Sequence, residues 1–235
     1  MPFFKIPLHI KKQDVLPFLG ITTAPSPQEE NLIDICLHEI KQKAHPVGIW
    51  KTYEIKKFEP NNIMLENCSL FLEGDNASEH FKTCEKITLL ASTLGNEIDI
   101  FLQYLGQENP AHALVFDGIA SAAIETFTEQ MDTYLSSDIR HKGYFPTARF
   151  SPGYGDWPLK WQKEFLENIG GAEINLTTTP HFLLQPIKSV TAALGWSKIP
   201  VERSYTSTNQ ATKPCRNSKA CKYCKLAPFC SSKKH

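Results

Sequence analysis

Lys86-Ile87-Thr88-Leu89-Leu90-Ala91-Ser92-Thr93-Leu94 runs unbroken into Gly95. Apolar and β-branched residues dominate it, and so short a run, bounded by a glycine, reads as a buried strand. Beyond it, residues 97–105 and the stretch from about Pro110 to Ser136 repeat apolar side chains at helical spacing, the second being the longest periodic segment. Its small residues Gly118, Ala120, Ser121, Ala122 and Ala123 predict close packing against another backbone. Before it, the alternating stretch 48–56 and the apolar stretch 68–72 are expected strands. Ser26-Pro27-Gln28-Glu29 has the form of a capping box with proline at the first helical position. Leu32, Ile33, Cys36, Leu37 and Ile40 carry that helix to about Lys43, where His45-Pro46 ends it.

Residues 4–10 read as a short first strand, and 78–84 as one or two helical turns. Towards the C-terminus, 157–168 predict a helix, and 172–176, 182–184 and 188–194 predict strands. Strands and helices do not repeat as βαβ units, so the expected class is α+β, a mixed or antiparallel sheet with flanking helices. That domain spans residues 1–202. The polar stretch 204–213 reads as a linker within a cysteine-rich tail, residues 203–235.

With 235 residues, 41% hydrophobic and 21% charged, the chain can bury one ordinary core. Its longest apolar runs, 87–91 and 113–116, fall far short of the roughly 18–20 residues that span a bilayer. Residues 1–10 lack the basic start and long apolar stretch of a signal peptide, so a cytoplasmic protein with no membrane partner is expected. The formal net charge of zero hides a segregation. After Glu202 no acidic residue follows, yet Arg203, Lys213, Arg216, Lys219, Lys222, Lys225, Lys233 and Lys234 do. The tail therefore carries +8, while residues 1–202 carry −8, with 17 of the 25 Lys and Arg against all 25 Asp and Glu. Such a tail suits either nucleic acid or compensation for bound thiolates.

Four of the seven cysteines form the pattern Cys215-x5-Cys221-x2-Cys224-x5-Cys230. Without a secretion signal this reads as metal binding rather than disulfides. Two thiolates two residues apart grip a metal centre from a single turn, and the outer two complete the set. Structural zinc more often uses two separate short knuckles. One knuckle with longer flanks suits the wider cubane, so an iron–sulfur cluster of the 4Fe–4S type is the first expectation and zinc the alternative. In the zinc reading the basic tail would be a nucleic-acid-binding or regulatory module, but Tyr223 and Phe229 are few aromatics for single-strand binding, which makes nucleic acid the lesser expectation. Cys36, Cys68 and Cys84 lie among apolar neighbours and read as core residues.

Thr147-Ala148-Arg149-Phe150-Ser151-Pro152-Gly153-Tyr154 resembles the Arg-x-x-Pro-Gly-Tyr signature of the activation domain of cobalamin-dependent methionine synthase. Ile174-Asn175-Leu176-Thr177, and Gln185-Pro186-Ile187-Lys188-Ser189-Val190-Thr191 through Gly195-Trp196, are similar to that domain's later strands. Thr93-Leu94-Gly95 and the helix around 125–135 are similar too. The resemblance covers about residues 85–200, close at 149–154 and loose elsewhere. It departs at Gly155, where the family usually has proline. It implies S-adenosylmethionine binding beside a cobalamin presented by a partner, and support for the reductive methylation of cob(II)alamin. A chain of this length would act in trans on a cobalamin-dependent methionine synthase or a related corrinoid protein. The tail is not part of that family's domain. A low-potential cluster there would suit relay of the electron from a low-potential donor, since cluster potentials extend to about −700 mV.

The residue types suit that ligand. Arg149 offers a planar fork for a carboxylate. Pro152-Gly153 makes a turn that lets backbone approach closely, and Tyr154 brings an aromatic face and a hydroxyl. Glu125 and Glu129, one turn apart on the long helix, are both candidates for the ammonium, and spacing does not choose between them. Methyl transfer from a sulfonium needs no acid or base, so no catalytic residue is expected. Taken singly, each of these is ordinary: a surface arginine, a turn, a solvated helix face. Their order is what singles them out. Trp157, Trp161 and Trp196 read as core, and His181 as a hydrogen-bonded residue at a strand end.

Overall fold

The run at 86–94 forms the middle of the molecule. In the computed structural model, which describes residues 2–203, it is β5 (Cys84–Thr93). Antiparallel neighbours flank it: β2 (Val47–Glu59) on one side and β9 (Ser189–Ser197) on the other. β2 continues into β3 (Asn62–Leu65) and β4 (Phe71–Glu73), and β9 pairs with β6 (Phe145–Pro146). With β1 (Phe3–Phe4) beside β2, the result is a seven-stranded antiparallel sheet in the order β4-β3-β2-β5-β9-β6.

Successive side chains of β5 point to opposite faces, and both are covered. Ile87, Leu89 and Ala91 meet Trp157 and Phe165, beneath α3 (Asp75–Phe81) and α6 (Gln162–Ile169). Leu90 packs on Phe127 and Met131 of the long helix α5 (Pro110–His141), and Ser92 bonds Thr128 at 2.7 Å. Burying an aliphatic or aromatic side chain of this size stabilises by about 1.5–3 kcal/mol, which is why the strand is apolar on both faces. A second core joins the first half of α5 to α2 (Pro27–Lys43) and α4 (Glu97–Glu108), through Ile33, Ile40, Ile98, Phe116 and Ile119. The capping box forms: Glu29 N–H donates to Ser26 Oγ at 3.3 Å, and Ser26 N–H donates to Glu29 at 2.7 Å. The small residues of α5 do admit a backbone. A Cβ on Gly118 would lie 3.3 Å from the Phe18 carbonyl and 2.7 Å from Leu19 Cδ2.

The α+β class with an antiparallel sheet and flanking helices is observed. Several local expectations are corrected. Only Phe4 of the expected strand 4–10 pairs, and Pro7, which has no N–H to donate, keeps the ladder from resuming beyond it. The apolar stretch 172–176 is a 3-10 turn, Gly171–Ile174, closed by Asn175 at φ 54°; Ile174 and Leu176 are apolar because they enter the core. The expected strand 182–184 is reduced to β8 (Leu184–Gln185), paired with β7 (Thr177–Thr178), since Phe182 turns the chain at φ 62°. The strand at 68–72 starts only at Phe71, and the helix at 157–168 begins as a 3-10 turn at Leu159–Trp161. The β2–β3 hairpin, turned by Pro60-Asn61 with Asn61 at φ 60°, was not anticipated, nor was the short α1 (Lys12–Val15). Cys36 and Cys84 are buried and Cys68 is half-buried. Among the described residues no helix is long and apolar enough to cross a membrane. Cys215, Cys221, Cys224 and Cys230 lie outside the described residues.

Candidate functional site

Residues 147–150 run antiparallel along β9. Thr147 N–H donates to the Gly195 carbonyl at 3.0 Å, and Phe150 and Ala193 exchange bonds of 3.0 and 2.7 Å. Gly195 is required for this approach, because a Cβ there would meet Cys84, Phe81 and Thr147 side-chain atoms within 2.9 Å. In an extended segment neighbouring side chains diverge. Phe150 goes to one side, stacking on Trp157 with centroids 6.1 Å apart. Arg149 goes to the other, towards α5.

There Arg149 Nη2 lies 3.4 Å from Glu125 Oε2, with side chains 14% and 31% exposed. Its Nε lies 3.8 Å from Asp132 Oδ2, whose side chain is 1% exposed. Behind Arg149, Ser136 Oγ donates to the same Asp132 at 2.9 Å. One face of the guanidinium is thus backed by a buried acid, while the other meets a half-buried one at the head of a cleft.

The cleft encloses about 530 Å³. Arg149, Glu125, Pro152 and Tyr154 line it, together with Ser189, Val190 and Thr191 of β9. Ser151 fastens the turn to the sheet by donating to the Thr191 carbonyl at 2.7 Å. Gly153, at φ 91°, shapes the turn beside the cleft and is not part of its lining. Gly155 sits at φ 55°, a backbone that proline cannot adopt. The departure at that position is therefore built into the turn. Just after it, the Asp156 carboxylate accepts the backbone N–H of Asp75 at 2.7 Å and of Asn76 at 3.1 Å, tying the turn to the start of α3.

The structure separates the two candidate glutamates: Glu125 lines the cleft, and Glu129 is exposed and does not. It also adds residues that sequence reasoning missed. Gln162 donates to Thr191 Oγ1 at the floor, and Phe182, Leu183 and Ile187 form an exposed apolar lip. The lip follows from the turn at Phe182, which no local signal announced. Trp157 is core, as expected, and its indole N–H donates to the Phe71 carbonyl at 3.1 Å. His181 is exposed and outside the lining. Close by, His80 Nε2 donates to the Ala148 carbonyl at 2.8 Å, and burial holds its pKa below the ordinary histidine value.

No family model matches the chain, and no curated protein matches its sequence. Its fold is similar to that in the crystal structure of the MetH reactivation domain bound to AdoHcy, with a TM-score of 0.59 at 11% identity, over 88% of this chain and 81% of that one. The likeness is one of fold. Within that fold, the cleft lies between β9, the 149–154 turn and α5.

Proposed function

We propose that this protein binds S-adenosylmethionine in the cleft and supports the reductive methylation of cob(II)alamin held by a separate methionine synthase or related corrinoid protein. The observation that carries the reading is the half-buried Arg149–Glu125 pair at the head of a cleft of about 530 Å³, within a fold shared with a domain solved with AdoHcy. The volume lies within the ordinary range for small-molecule sites. An amino-acid zwitterion complements the pair: Arg149 takes the carboxylate with its planar fork, and Glu125 takes the ammonium. Asp132 engages Nε and keeps the fork turned to the cleft. Pro152 and Tyr154 then close over the remainder of the ligand.

When bound, S-adenosylmethionine supplies the methyl group, and a corrinoid reduced by one electron accepts it. The residues of this chain align the donor and exclude water, and none needs to move a proton. The apolar lip of Phe182, Leu183 and Ile187 suits the approach of a flat macrocycle on a partner surface. The four thiolates of Cys215, Cys221, Cys224 and Cys230 suit an iron–sulfur cluster that would relay the electron from a low-potential donor, with residues 203–235 as its tail and the cytoplasm as its compartment. Calorimetry with S-adenosylmethionine and AdoHcy tests the ligand reading. Both should bind, and Arg149→Ala should weaken binding by about 2–5 kcal/mol. Absence of binding by the wild-type protein would overturn it.

A further inference from the structure

Cys36 and Glu39 lie one turn apart on α2, and His112 stands in the first turn of α5. Asn109 fixes that turn by accepting the His112 backbone N–H on its side-chain oxygen at 3.1 Å. Packing of the two helices through Ile33, Ile40, Phe116 and Ile119 brings the three side chains together. The Cys36 sulfur, a Glu39 carboxylate oxygen and a His112 ring nitrogen all lie within 4.8 Å of one another, the only such group of three among the described residues. His112 Nε2 is already 2.8 Å from Glu39 Oε2, with side chains 15% and 21% exposed, while Cys36 is buried on the inner side. None of the three lines the cleft.

We propose that Cys36, Glu39 and His112 form a site for a divalent cation of the zinc class, bridging α2 and α5, with a fourth position open to solvent. The donor set argues for the metal. Calcium and magnesium take oxygen ligands, whereas a thiolate, an imidazole and a carboxylate together suit zinc. Bond lengths of about 2.0–2.3 Å place neighbouring ligands of a tetrahedral ion roughly 3.3–3.8 Å apart, so modest side-chain rotations convert the observed cluster. Two ligands share a helix turn and the third is held by its own N-cap, so the helices need not move. Burial and the neighbouring Glu39 charge push the Cys36 thiol up to about 12. A cation reverses that balance: the metal–sulfur bond forms as the S–H bond breaks, and the proton leaves to solvent. The site is independent of the cysteine tail and of the ligand reading.

The test uses the full chain with Cys215, Cys221, Cys224 and Cys230 all replaced by Ser, titrated with cobalt(II) and then zinc(II). One cobalt per chain should bind and give a thiolate-to-cobalt charge-transfer band, which zinc removes. The melting temperature should rise by roughly 5–10 °C at a metal concentration about 100-fold above Kd. Adding Cys36→Ser should abolish the band. Adding His112→Gln, at the helix surface and able to keep the bond to Glu39, should weaken binding by more than about 100-fold while circular dichroism stays unchanged. Substoichiometric binding, or a band that survives Cys36→Ser, would overturn the proposal.

Discussion

Arg203 donates two hydrogen bonds, of 2.8 and 3.0 Å, to the buried carboxylate of Asp132. The same carboxylate backs Arg149, and Arg203 also donates to Ser136 Oγ at 2.9 Å. Where the described chain ends, it is therefore fastened to the acid that orients the cleft's arginine. Asp132→Asn keeps the shape and removes the charge from between two guanidinium groups. Breaking a buried pair from one side costs about 3–5 kcal/mol, so the melting temperature should fall by roughly 6–20 °C. Ser136→Ala should cost only about 1 kcal/mol. Urea unfolding in which Asp132→Asn matches wild type within about 0.5 kcal/mol would remove the carboxylate from this anchoring role.

Glu125 and Glu129 differ by one helical turn, and the proposed site needs only the first. Glu125→Gln removes a charged acceptor for the ligand ammonium, and affinity for S-adenosylmethionine should fall by about 1.5–3 kcal/mol, roughly 10–150-fold. AdoHcy keeps the same ammonium and should show the same loss. Glu129→Gln, on an exposed face, should change affinity by less than about 0.5 kcal/mol. Equal effects of the two substitutions would mean that the ammonium lies elsewhere.

These contrasts show what could be read from the chain before its fold was known. Long elements announced themselves: the double-sided apolar run of β5, the capping box of α2 and the periodicity of α5 are local patterns that local physics satisfies. Arg149, Pro152 and Tyr154 were legible because they sit together in a short ordered motif. Glu125 was narrowed only to a pair, because the choice depends on which flank of α5 faces β9. The pairing of Asp132 with Arg203 was not legible, because each is ordinary in its own segment and acquires meaning only from a partner 71 residues away. The strands at 172–176 and 182–184 misled for the opposite reason. Ile174 and Leu176 are apolar because they enter the core, Phe182 and Leu183 because they form the exposed lip, and nothing local reports that Asn175 and Phe182 take left-handed backbone. Gly155 departs from the motif, and its positive φ belongs to the turn that Asp156, the next residue, ties to α3.

His80 couples the same region to pH. Its ring packs edge-on against Phe81 and stacks on Phe150, with centroids 4.6 and 5.1 Å away, and burial keeps its pKa below the ordinary value of about 6.5. In the interval between the folded and unfolded values, the unfolded chain binds a proton that the folded chain refuses. Stability is therefore fully present above about pH 6.5 and is lost as the pH falls below it. Wild-type protein should unfold at lower urea at pH 5.5 than at pH 7. His80→Gln retains a donor for the Ala148 carbonyl and does not titrate, so the difference between the two proteins should shrink on acidification. A stability gap that does not change with pH would show that His80 contributes nothing to the acid sensitivity.

The proposed activity in trans makes the strongest demand on geometry. Methyl donor and corrinoid must come within roughly 3–3.5 Å, so the partner has to present an open face of its macrocycle to the Tyr154 side of the cleft, over the lip of Leu183 and Ile187. Mixed with a cob(II)alamin-bearing partner, S-adenosylmethionine and a strong reductant, this protein should accelerate loss of the cob(II)alamin absorption, and Arg149→Ala should abolish the acceleration. Equal rates with and without the protein would refute the activator role. The tail can be examined separately. Anaerobically prepared protein should contain iron and labile sulfide, both lost in Cys221→Ser or Cys224→Ser, and stoichiometric zinc without iron would refute the electron relay. If Cys221→Ser still supports methylation with a chemical reductant but fails with a protein electron donor, the cleft is the methylation platform and the cluster supplies only the electron. If it fails with both, the cysteines also help to seat the partner.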